Sequence, residues 1–201
     1  MRKLLITGFE PFGDYPENSS WEVAREVAYF GVLSVDVVAE CLPVSFVGAP
    51  EALRKAVVSH SPDLVIMLGQ SASSYSIRLE RVALNMMDSK MGDNDGYRPS
   101  EEPIDRCYEA ALFTSLPIKT LCSAIESRGI DVKISNSAGL YVCNRVYYEA
   151  LRMCRERDGM EVIFVHLPLY EGQRSPHVDK KTMSLGTMCR AVQTIIEEIY
   201  D

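Results

Sequence analysis

The stretch Leu64-Val65-Ile66-Met67-Leu68 decides the fold, because every residue in it is apolar and Gly69 ends the run. A strand that is apolar on both faces is typical of a parallel sheet covered by helices on both sides. The turn-forming residues Ser61-Pro62-Asp63 come directly before the run. This pattern therefore predicts a buried strand at the centre of an α/β sheet.

Strand and helix patterns alternate on either side of this central run. The predicted strands cover residues 4–7, 35–39, 64–68, 132–135 and 161–166. The first predicted helix begins near residue 20, and four further helices are predicted over 50–59, 118–128, 142–155 and 185–200. Such alternation predicts an α/β protein, a three-layer α/β/α sandwich with a largely parallel, partly mixed and twisted sheet. No long linker divides the 201 residues, so we expect one catalytic domain over residues 1–201.

The region from residue 70 to residue 117 does not follow this alternation. It contains an extended piece at 77–85, the polar turn Gly92-Asp93-Asn94-Asp95-Gly96 and a stretch rich in Pro and Glu. A loop of this length inside a compact domain is usually functional. We therefore expect it to contribute to a site.

Composition excludes several classes of partner. The net charge of -7 and the pI near 5.1 argue against a nucleic acid, which is bound mainly through Lys and Arg. The apolar run at the N-terminus stops at Thr7-Gly8, which is too short for a signal peptide, and no segment has the length of a membrane span. We expect neither nucleic acid nor membrane as a partner.

The six cysteines are widely separated and form no Cys-x-x-Cys pair. They are Cys41, Cys107, Cys122, Cys143, Cys154 and Cys189. This pattern favours free thiols in a reducing cytoplasm over a disulfide or zinc framework. We predict a cytoplasmic protein with no metal and no cofactor.

Cys143 is the best candidate nucleophile because it lies at the start of the helix predicted over 142–155. The positive end of a helix dipole favours the thiolate, which is the reactive form. The small and polar run Asn136-Ser137-Ala138-Gly139 precedes it, and its backbone N–H groups could face a developing oxyanion. Gly69, Asn136 and His166 all lie at the ends of predicted strands, so we expect the site where these strand ends converge. The alternative is a buried structural thiol, which is what most free cysteines are.

Three histidines compete to be the base of this nucleophile. His166 ends the predicted strand 161–166 and is the best placed, although a purely structural role stays open. His60 follows a helix, so we expect it to cap that helix. His177 lies in a polar loop, where we expect it to be solvated.

A partner carboxylate for the histidine is harder to choose among 28 acidic residues. Glu80 stands out because it alternates with apolar residues, which predicts partial burial. A salt bridge to Arg78 or Arg81 is the interpretation that spacing alone favours.

The first loop, Gly8-Phe9-Glu10-Pro11-Phe12-Gly13, spaces two glycines like a phosphate-binding loop. Asp14 follows it where such a loop requires Lys, and Phe9 and Phe12 occupy the phosphate's place. Aromatic residues at a strand end predict an apolar pocket. The alternative is that both rings only fill the end of the sheet.

Five motifs follow one another along nearly the whole chain. They are Thr7-Gly8-Phe9-Glu10-Pro11-Phe12-Gly13, Leu79-Glu80-Arg81-Val82-Ala83-Leu84-Asn85, Asp93-Asn94-Asp95-Gly96, Ser135-Asn136-Ser137-Ala138-Gly139-Leu140-Tyr141-Val142-Cys143-Asn144 and Val165-His166-Leu167-Pro168. In order and spacing they resemble the motifs of the pyroglutamyl peptidase type I family, whose members are also called pyrrolidone-carboxylate peptidases. The resemblance implies a cytoplasmic cysteine exopeptidase, a homo-oligomer and often a tetramer, that acts on N-terminally pyroglutamylated peptides.

The resemblance also assigns residues to roles. The catalytic Cys, His and Glu of the family fall on Cys143, His166 and Glu80. Its aromatic pocket falls on Phe9 and Phe12, and its polar lactam contacts fall near Asn18 and Gln70. The resemblance thus implies that these four residues bind the substrate.

The chain departs from the family pattern in two places. Ser71-Ala72-Ser73-Ser74 replaces a run of the Gly-Gly-Arg type, and Lys90-Met91-Gly92 stands where the family has Arg followed by Ile-Pro. An oxyanion or loop-ordering role would fall on Lys90, which lacks the planar donor of Arg. Two other functions stay open: a diverged cysteine amidase for another cyclic or blocked acyl group, and a non-catalytic small-molecule binding protein.

Overall fold

A computed structural model describes residues 2–157, 159–173 and 182–200. The elements are β1 (Arg2–Phe9), α1 (Ser19–Phe30), β2 (Val35–Leu42), α2 (Gly48–His60), β3 (Leu64–Gln70), β4 (Ile77–Glu80), β5 (Val82–Leu84), β6 (Ala111–Phe113), α3 (Ile118–Ser127), β7 (Val132–Ser135), α4 (Val142–Glu156), β8 (Glu161–Leu167) and α5 (Leu185–Tyr200). The predicted α/β class is confirmed. Among the described residues, no helix has the length and apolar character needed to cross a membrane.

One six-stranded sheet organises the molecule, with the strand order β2-β1-β3-β8-β4-β7. The strands β2, β1, β3 and β8 run parallel to one another, whereas β4 pairs antiparallel with β8 and β7 runs parallel to β4. The sheet is therefore largely parallel and partly mixed, as predicted. The short strands β5 and β6 form a separate antiparallel pair.

Both faces of the sheet are covered because the buried strands are apolar on both sides. In β3, the side chains of Leu64, Ile66 and Leu68 pack in the core beside α1, α3 and α5. The side chains of Val65 and Met67 point to the opposite face, which α2 and α4 cover. Burial of one such side chain contributes about 1.5–3 kcal/mol.

The first strand extends further than its apolar pattern predicts. The N–H group of Glu10 donates to the carbonyl oxygen of Leu42 at 3.0 Å, which continues the pairing of β1 with β2 beyond Gly8. A Cβ atom on Gly8 would lie 2.5 Å from the Cα of Trp21. Glycine is therefore required for α1 to pack against this strand.

The reversed direction of β7 corrects one expectation about the strand ends. The sequence pattern suggested that Asn136 would lie at the same sheet edge as Gly69 and His166. Because β7 runs opposite to β8, Ser135 pairs with Glu80 and the strand ends away from that edge. Asn136 is exposed, and its Oδ1 accepts a hydrogen bond from Arg81 at 2.8 Å. Periodicity alone cannot give the direction of a strand.

Candidate active site

His166 and its neighbour Gly69 lie on the face of the sheet that α4 covers. Side chains alternate along a strand, so Gly69 follows Val65 and Met67 on this face, and His166 follows Phe164. Gly69 and His166 are paired neighbours in the parallel ladder between β3 and β8. Two regular strands therefore place an imidazole beside a glycine at one edge of the sheet.

Glu80 reaches His166 across the antiparallel pair β4 and β8. Glu80 is opposite Phe164 in the register, two residues before His166, so the two side chains are diagonal neighbours on one face. The Nδ1 atom of His166 lies 2.8 Å from Oε1 of Glu80. Glu80 is fully buried, and its Oε2 has no hydrogen-bond partner within the described part of the chain.

The interpretation of Glu80 from spacing was therefore wrong. Among the described residues it forms its ion pair with His166 and none with Arg78 or Arg81. Arg78 is opposite His166 in the ladder, and Arg81 bonds Asn136 instead. The pairing depends on the register between two strands that are distant in sequence, which local spacing does not reveal.

The imidazole of His166 has a raised pKa. Burial lowers the pKa of His166, but hydrogen bonds to the Cys143 thiol and to the Glu80 carboxylate outweigh it and raise the pKa from 6.5 to about 9. The ring also packs against Phe164, with 4.9 Å between the ring centroids. His166 therefore carries its proton at neutral pH and lies between a carboxylate and a thiol.

Cys143 is the second residue of α4, as the sequence predicted, and it is partly exposed. A Cβ atom on Gly69 would lie 3.1 Å from the Cys143 Sγ and 2.7 Å from Cζ of Phe164. Only a glycine at the end of β3 leaves room for the thiol and this ring together. The requirement gives Gly69 a role in the site that its position as a strand end did not reveal.

The oxyanion donors expected in the run 136–139 are partly occupied. The N–H group of Ser137 donates to Oγ of Ser135 at 3.4 Å, and that of Gly139 donates to Oγ of Ser137 at 3.2 Å. The helix α4, in contrast, has Tyr141 as its N-cap residue, and this residue forms no side-chain capping hydrogen bond. Its first-turn N–H groups are therefore better suited than the loop to stabilise negative charge beside Cys143.

A small cavity of about 80 Å³ opens beside the thiol. It is lined by Phe9, Phe12, Asn18, Val44, Gln70, Tyr141, Val142 and Cys143. Phe9 is buried in the core and also forms a wall, so both interpretations of this ring hold. Phe12 is half-buried and packs on Tyr141, with 5.3 Å between the ring centroids. Sequence reasoning missed Val44 and Tyr141 as lining residues.

The two polar lining residues differ in what they leave free. Asn18 caps α1, since its Oδ1 accepts from the N–H and hydroxyl groups of Ser20, and its Nδ2 donates to the Glu10 carbonyl oxygen. Gln70 accepts a hydrogen bond from the Ser19 N–H group at 2.9 Å through its Oε1. Asn18 is therefore mainly a structural cap, whereas Gln70 uses only its amide oxygen in these contacts and keeps its amide nitrogen.

The remaining candidates lie outside the cavity. Lys90 is exposed and does not belong to the lining residues. His60 ends α2, but its ring pairs with Oε1 of Glu40 at 3.0 Å instead of capping the helix, and the cap position is Ser61. His177 lies outside the described residues.

The polar turn Gly92-Asp93-Asn94-Asp95-Gly96, in the long loop that was expected to contribute to a site, holds the cavity wall in place. Asp93 is buried, and its carboxylate accepts from the N–H groups of Phe46, at 2.8 Å, and Tyr97, at 2.8 Å. The next residue, Asn94, donates to Oε1 of Glu10 at 2.7 Å. The hydroxyl of Tyr141 donates to the Gly92 carbonyl oxygen at 3.0 Å. The turn thus ties together the segments that carry Phe12, Val44 and Tyr141.

A thiol at a helix start, a buried imidazole and a buried carboxylate, gathered at one edge of an α/β sheet, make up the site of a cysteine hydrolase. The family model described as pyroglutamyl peptidase matches residues 2–201. The chain belongs to the pyroglutamyl peptidase family. It is a cysteine peptidase, and its resemblance to this family is confirmed.

Individual relatives agree with this assignment. The chain is 41% identical to the pyrrolidone-carboxylate peptidase of Thermococcus onnurineus over 97% of each chain. It is 37% identical to that of Klebsiella pneumoniae over 98% of this chain and 92% of the relative. The crystal structure of pyroglutamyl peptidase I from Bacillus amyloliquefaciens matches with a TM-score of 0.91 and 31% identity, covering 97% and 95% of the two chains. The pyrrolidone carboxyl peptidase from Thermococcus litoralis matches with a TM-score of 0.93 and 30% identity, covering 98% and 92%.

Proposed function

We propose that this chain removes an N-terminal pyroglutamyl residue from peptides, with Cys143 as nucleophile, His166 as acid and base, and Glu80 as the residue that orients His166. One observation carries the proposal. The Cys143 thiol lines the same small cavity as Phe9 and Phe12, and His166 lies between that thiol and the buried Glu80. Family membership supports the same substrate class.

In the first step, the Cys143 thiol has passed its proton to His166, and its sulfur attacks the carbonyl carbon that joins pyroglutamate to the next residue. The C–S bond forms, and negative charge develops on the carbonyl oxygen close to the start of α4. His166 is bound to Glu80 through Nδ1, so its Nε2 is the atom that faces the thiol. With a pKa of about 9, the ring holds a proton for the leaving amine at neutral pH.

In the second step, the C–N bond breaks and the amine leaves with the proton from Nε2 of His166. The ring, now neutral, accepts a proton from a water molecule that attacks the thioester. The C–S bond breaks, pyroglutamic acid is released, and the Cys143 sulfur is again free beside a protonated His166. The Glu80 carboxylate holds the ring in the useful tautomer and stabilises the imidazolium form in both steps.

The cavity also accounts for the choice of acyl group. Pyroglutamate carries no charged amino group, so its lactam ring enters an aromatic cavity without leaving an ammonium unpaired. An ordinary N-terminus would have to be desolvated there without a partner, which is unfavourable. In this proposal the enzyme is specific because the rings of Phe9, Phe12 and Tyr141 offer no partner to a charged N-terminal amino group.

Hydrolysis of a fluorogenic pyroglutamyl amide under reducing conditions tests the proposal. We expect turnover by the wild type, a loss of at least about a thousandfold in Cys143→Ala, and full activity in Cys107→Ala, which removes an exposed thiol. Hydrolysis of other blocked amides alone would instead identify a diverged cysteine amidase. Ligand binding without turnover of any amide would identify a non-catalytic binding protein.

We also propose a cytoplasmic homo-oligomer, of up to four subunits, in which residues 1–201 act as one catalytic domain. All six cysteines are free, and Cys41 and Cys107 are exposed, which suits a reducing compartment. The exposed apolar side chains of Tyr29, Phe30 and Leu33 are of the kind that subunit contacts bury. Light scattering in solution tests the assembly, and a monomer at micromolar concentration would contradict it.

A further inference from the structure

Gln173 is a buried residue next to the cavity that neither the motifs nor the mechanism uses. It is 3% exposed and lies in the turn that follows β8. Its Nε2 donates to Oε1 of Gln70 at 2.5 Å and to the carbonyl oxygen of Glu17 at 2.7 Å, and its Oε1 accepts from the N–H group of Tyr170 at 3.3 Å. A backbone carbonyl only accepts and a backbone N–H only donates, so the orientation of this amide is fixed.

The fixed amide of Gln173 constrains Gln70 in turn. Oε1 of Gln70 accepts from two donors, the Ser19 N–H group and Nε2 of Gln173. The oxygen end of Gln70 is therefore occupied, and its Nε2 is the polar group left for the cavity that Gln70 lines. In the part of the chain that the structure describes, this Nε2 has no hydrogen-bond acceptor. At Gln70 the cavity wall thus offers a side-chain donor and not a side-chain acceptor.

We propose that Gln173 is a positioning residue that, together with the N–H group of Ser19, holds Gln70 with its Nε2 toward the cavity, so that the site selects acyl groups carrying a hydrogen-bond acceptor. The inference rests on the proposed function, in which this acceptor is the lactam carbonyl oxygen of pyroglutamate. A ring with a methylene in that place leaves a buried N–H unpaired, which is unfavourable. Selection for the lactam therefore has a polar component beside the exclusion of charge.

Kinetics of Gln173→Ala and Gln173→Glu test this role with the pyroglutamyl amide. For Gln173→Ala we expect KM to rise roughly tenfold while kcat changes little, because the acyl contact is made equally in the ground state and the transition state. In Gln173→Glu a carboxylate would face two acceptors, Oε1 of Gln70 and the Glu17 carbonyl oxygen. Its KM should therefore rise more at pH 8 than at pH 5.5, where a protonated carboxyl group donates one bond.

A double-mutant cycle separates positioning from a merely structural effect. If Gln173 acts through Gln70, adding Gln173→Ala to Gln70→Ala should change KM by less than about twofold, because the contact is already lost. An equal rise in KM in both backgrounds overturns the proposal. Should Gln173→Ala fail to fold, the pH dependence of Gln173→Glu carries the same test, and a pH-independent KM overturns it.

A binding experiment tests the inference independently of turnover. In the Cys143→Ala background, calorimetry compares pyroglutamamide with cyclopentanecarboxamide, which keeps the ring size and lacks the lactam. We expect tighter binding of pyroglutamamide, and a roughly tenfold loss of this preference on Gln173→Ala. An unchanged preference overturns the role of Gln173. The two proposals can also fail separately. If the binding preference depends on Gln173 but the wild type hydrolyses no pyroglutamyl amide, the positioning role is supported and only the proposed function is contradicted.

Discussion

The two sides of the active site are built by different means. On the reaction side, Glu80, His166 and Gly69 are placed by the hydrogen-bond ladders of β3, β8 and β4, and Cys143 is placed by the first turn of α4. The acyl cavity on the other side takes half of its lining residues from loops and helix caps, and side-chain hydrogen bonds hold these segments together. Positions set by backbone ladders move little when one side chain changes.

The difference leads to a kinetic expectation. Substitutions on the reaction side alter groups that act in the transition state, so they should lower kcat. Substitutions that loosen the cavity alter the binding of the acyl group in the ground state and the transition state together, so they should raise KM.

Glu80→Gln should have the largest effect on the reaction side. The amide keeps the size of the carboxylate but removes the charge that stabilises the imidazolium, and comparable substitutions in triads reduce kcat by on the order of 10³ to 10⁴. The measurement is kcat/KM for a pyroglutamyl amide as a function of pH. A variant with wild-type kcat would contradict the assignment of Glu80.

The same profile tests the proton affinity of His166. In the wild type its pKa is raised from 6.5 to about 9, so activity should fall as the pH rises through about 9, where the imidazolium proton is lost. The stability that the pair contributes is fully present below about pH 6.5 and is lost over the same rise. Glu80→Gln should move the alkaline limb to lower pH, and an unmoved limb would show that another group causes it.

Gly69→Ala should reduce kcat by about a hundredfold, since a misplacement of about 1 Å has an effect of this size. The added Cβ would lie 2.7 Å from Cζ of Phe164 and 3.1 Å from the Cys143 Sγ, so the ring or the thiol must move. Gly186→Ala is the matched control, because a Cβ there meets no atom within 4 Å. Equal kcat values for the two variants would show that the site tolerates the methyl group.

The residues on the two sides also differ in how well they can be predicted from the sequence. Cys143 and His166 were identified because a helix start and a strand end can be recognised locally. The partner of Glu80 and the position of Asn136 were wrong because both depend on strand direction and register. Tyr141 and Gln173 were missed because their roles arise from contacts between segments that are distant along the chain.

Asp93→Asn tests the cavity side and should raise KM roughly tenfold with a smaller change in kcat. Both carboxylate oxygens of Asp93 accept from backbone N–H groups, so an asparagine would place its NH₂ group against one of these donors. A buried donor left without an acceptor costs about 1–3 kcal/mol of stability. Thermal unfolding and steady-state kinetics measure the two effects. Asp95→Asn is the control, since Asp95 is exposed in the same turn. A fall in kcat at constant KM would contradict the separation between the two sides.

Phe12→Ala should have the smallest effect, a rise in KM of about three- to tenfold, because a half-buried ring is lost from one wall. Phe9→Ala removes a core ring that is 3% exposed, so it should also destabilise the fold by about 3–5 kcal/mol. Phe113→Ala, which truncates an exposed ring on β6, is the control. Unchanged hydrolysis in both Phe9→Ala and Phe12→Ala would rule out this cavity as the acyl site.

The most direct test of the account is a time course of alkylation with iodoacetamide, in which peptide mapping follows each thiol while activity is measured. Activity should fall at the rate at which Cys143 is modified, and pyroglutamamide should slow both. Cys41 is an exposed residue, but it should react more slowly at neutral pH, because partial desolvation of its thiol and the nearby Glu10 and Glu40 raise its pKa to about 11. Full activity after complete modification of Cys143 would contradict its role as the nucleophile.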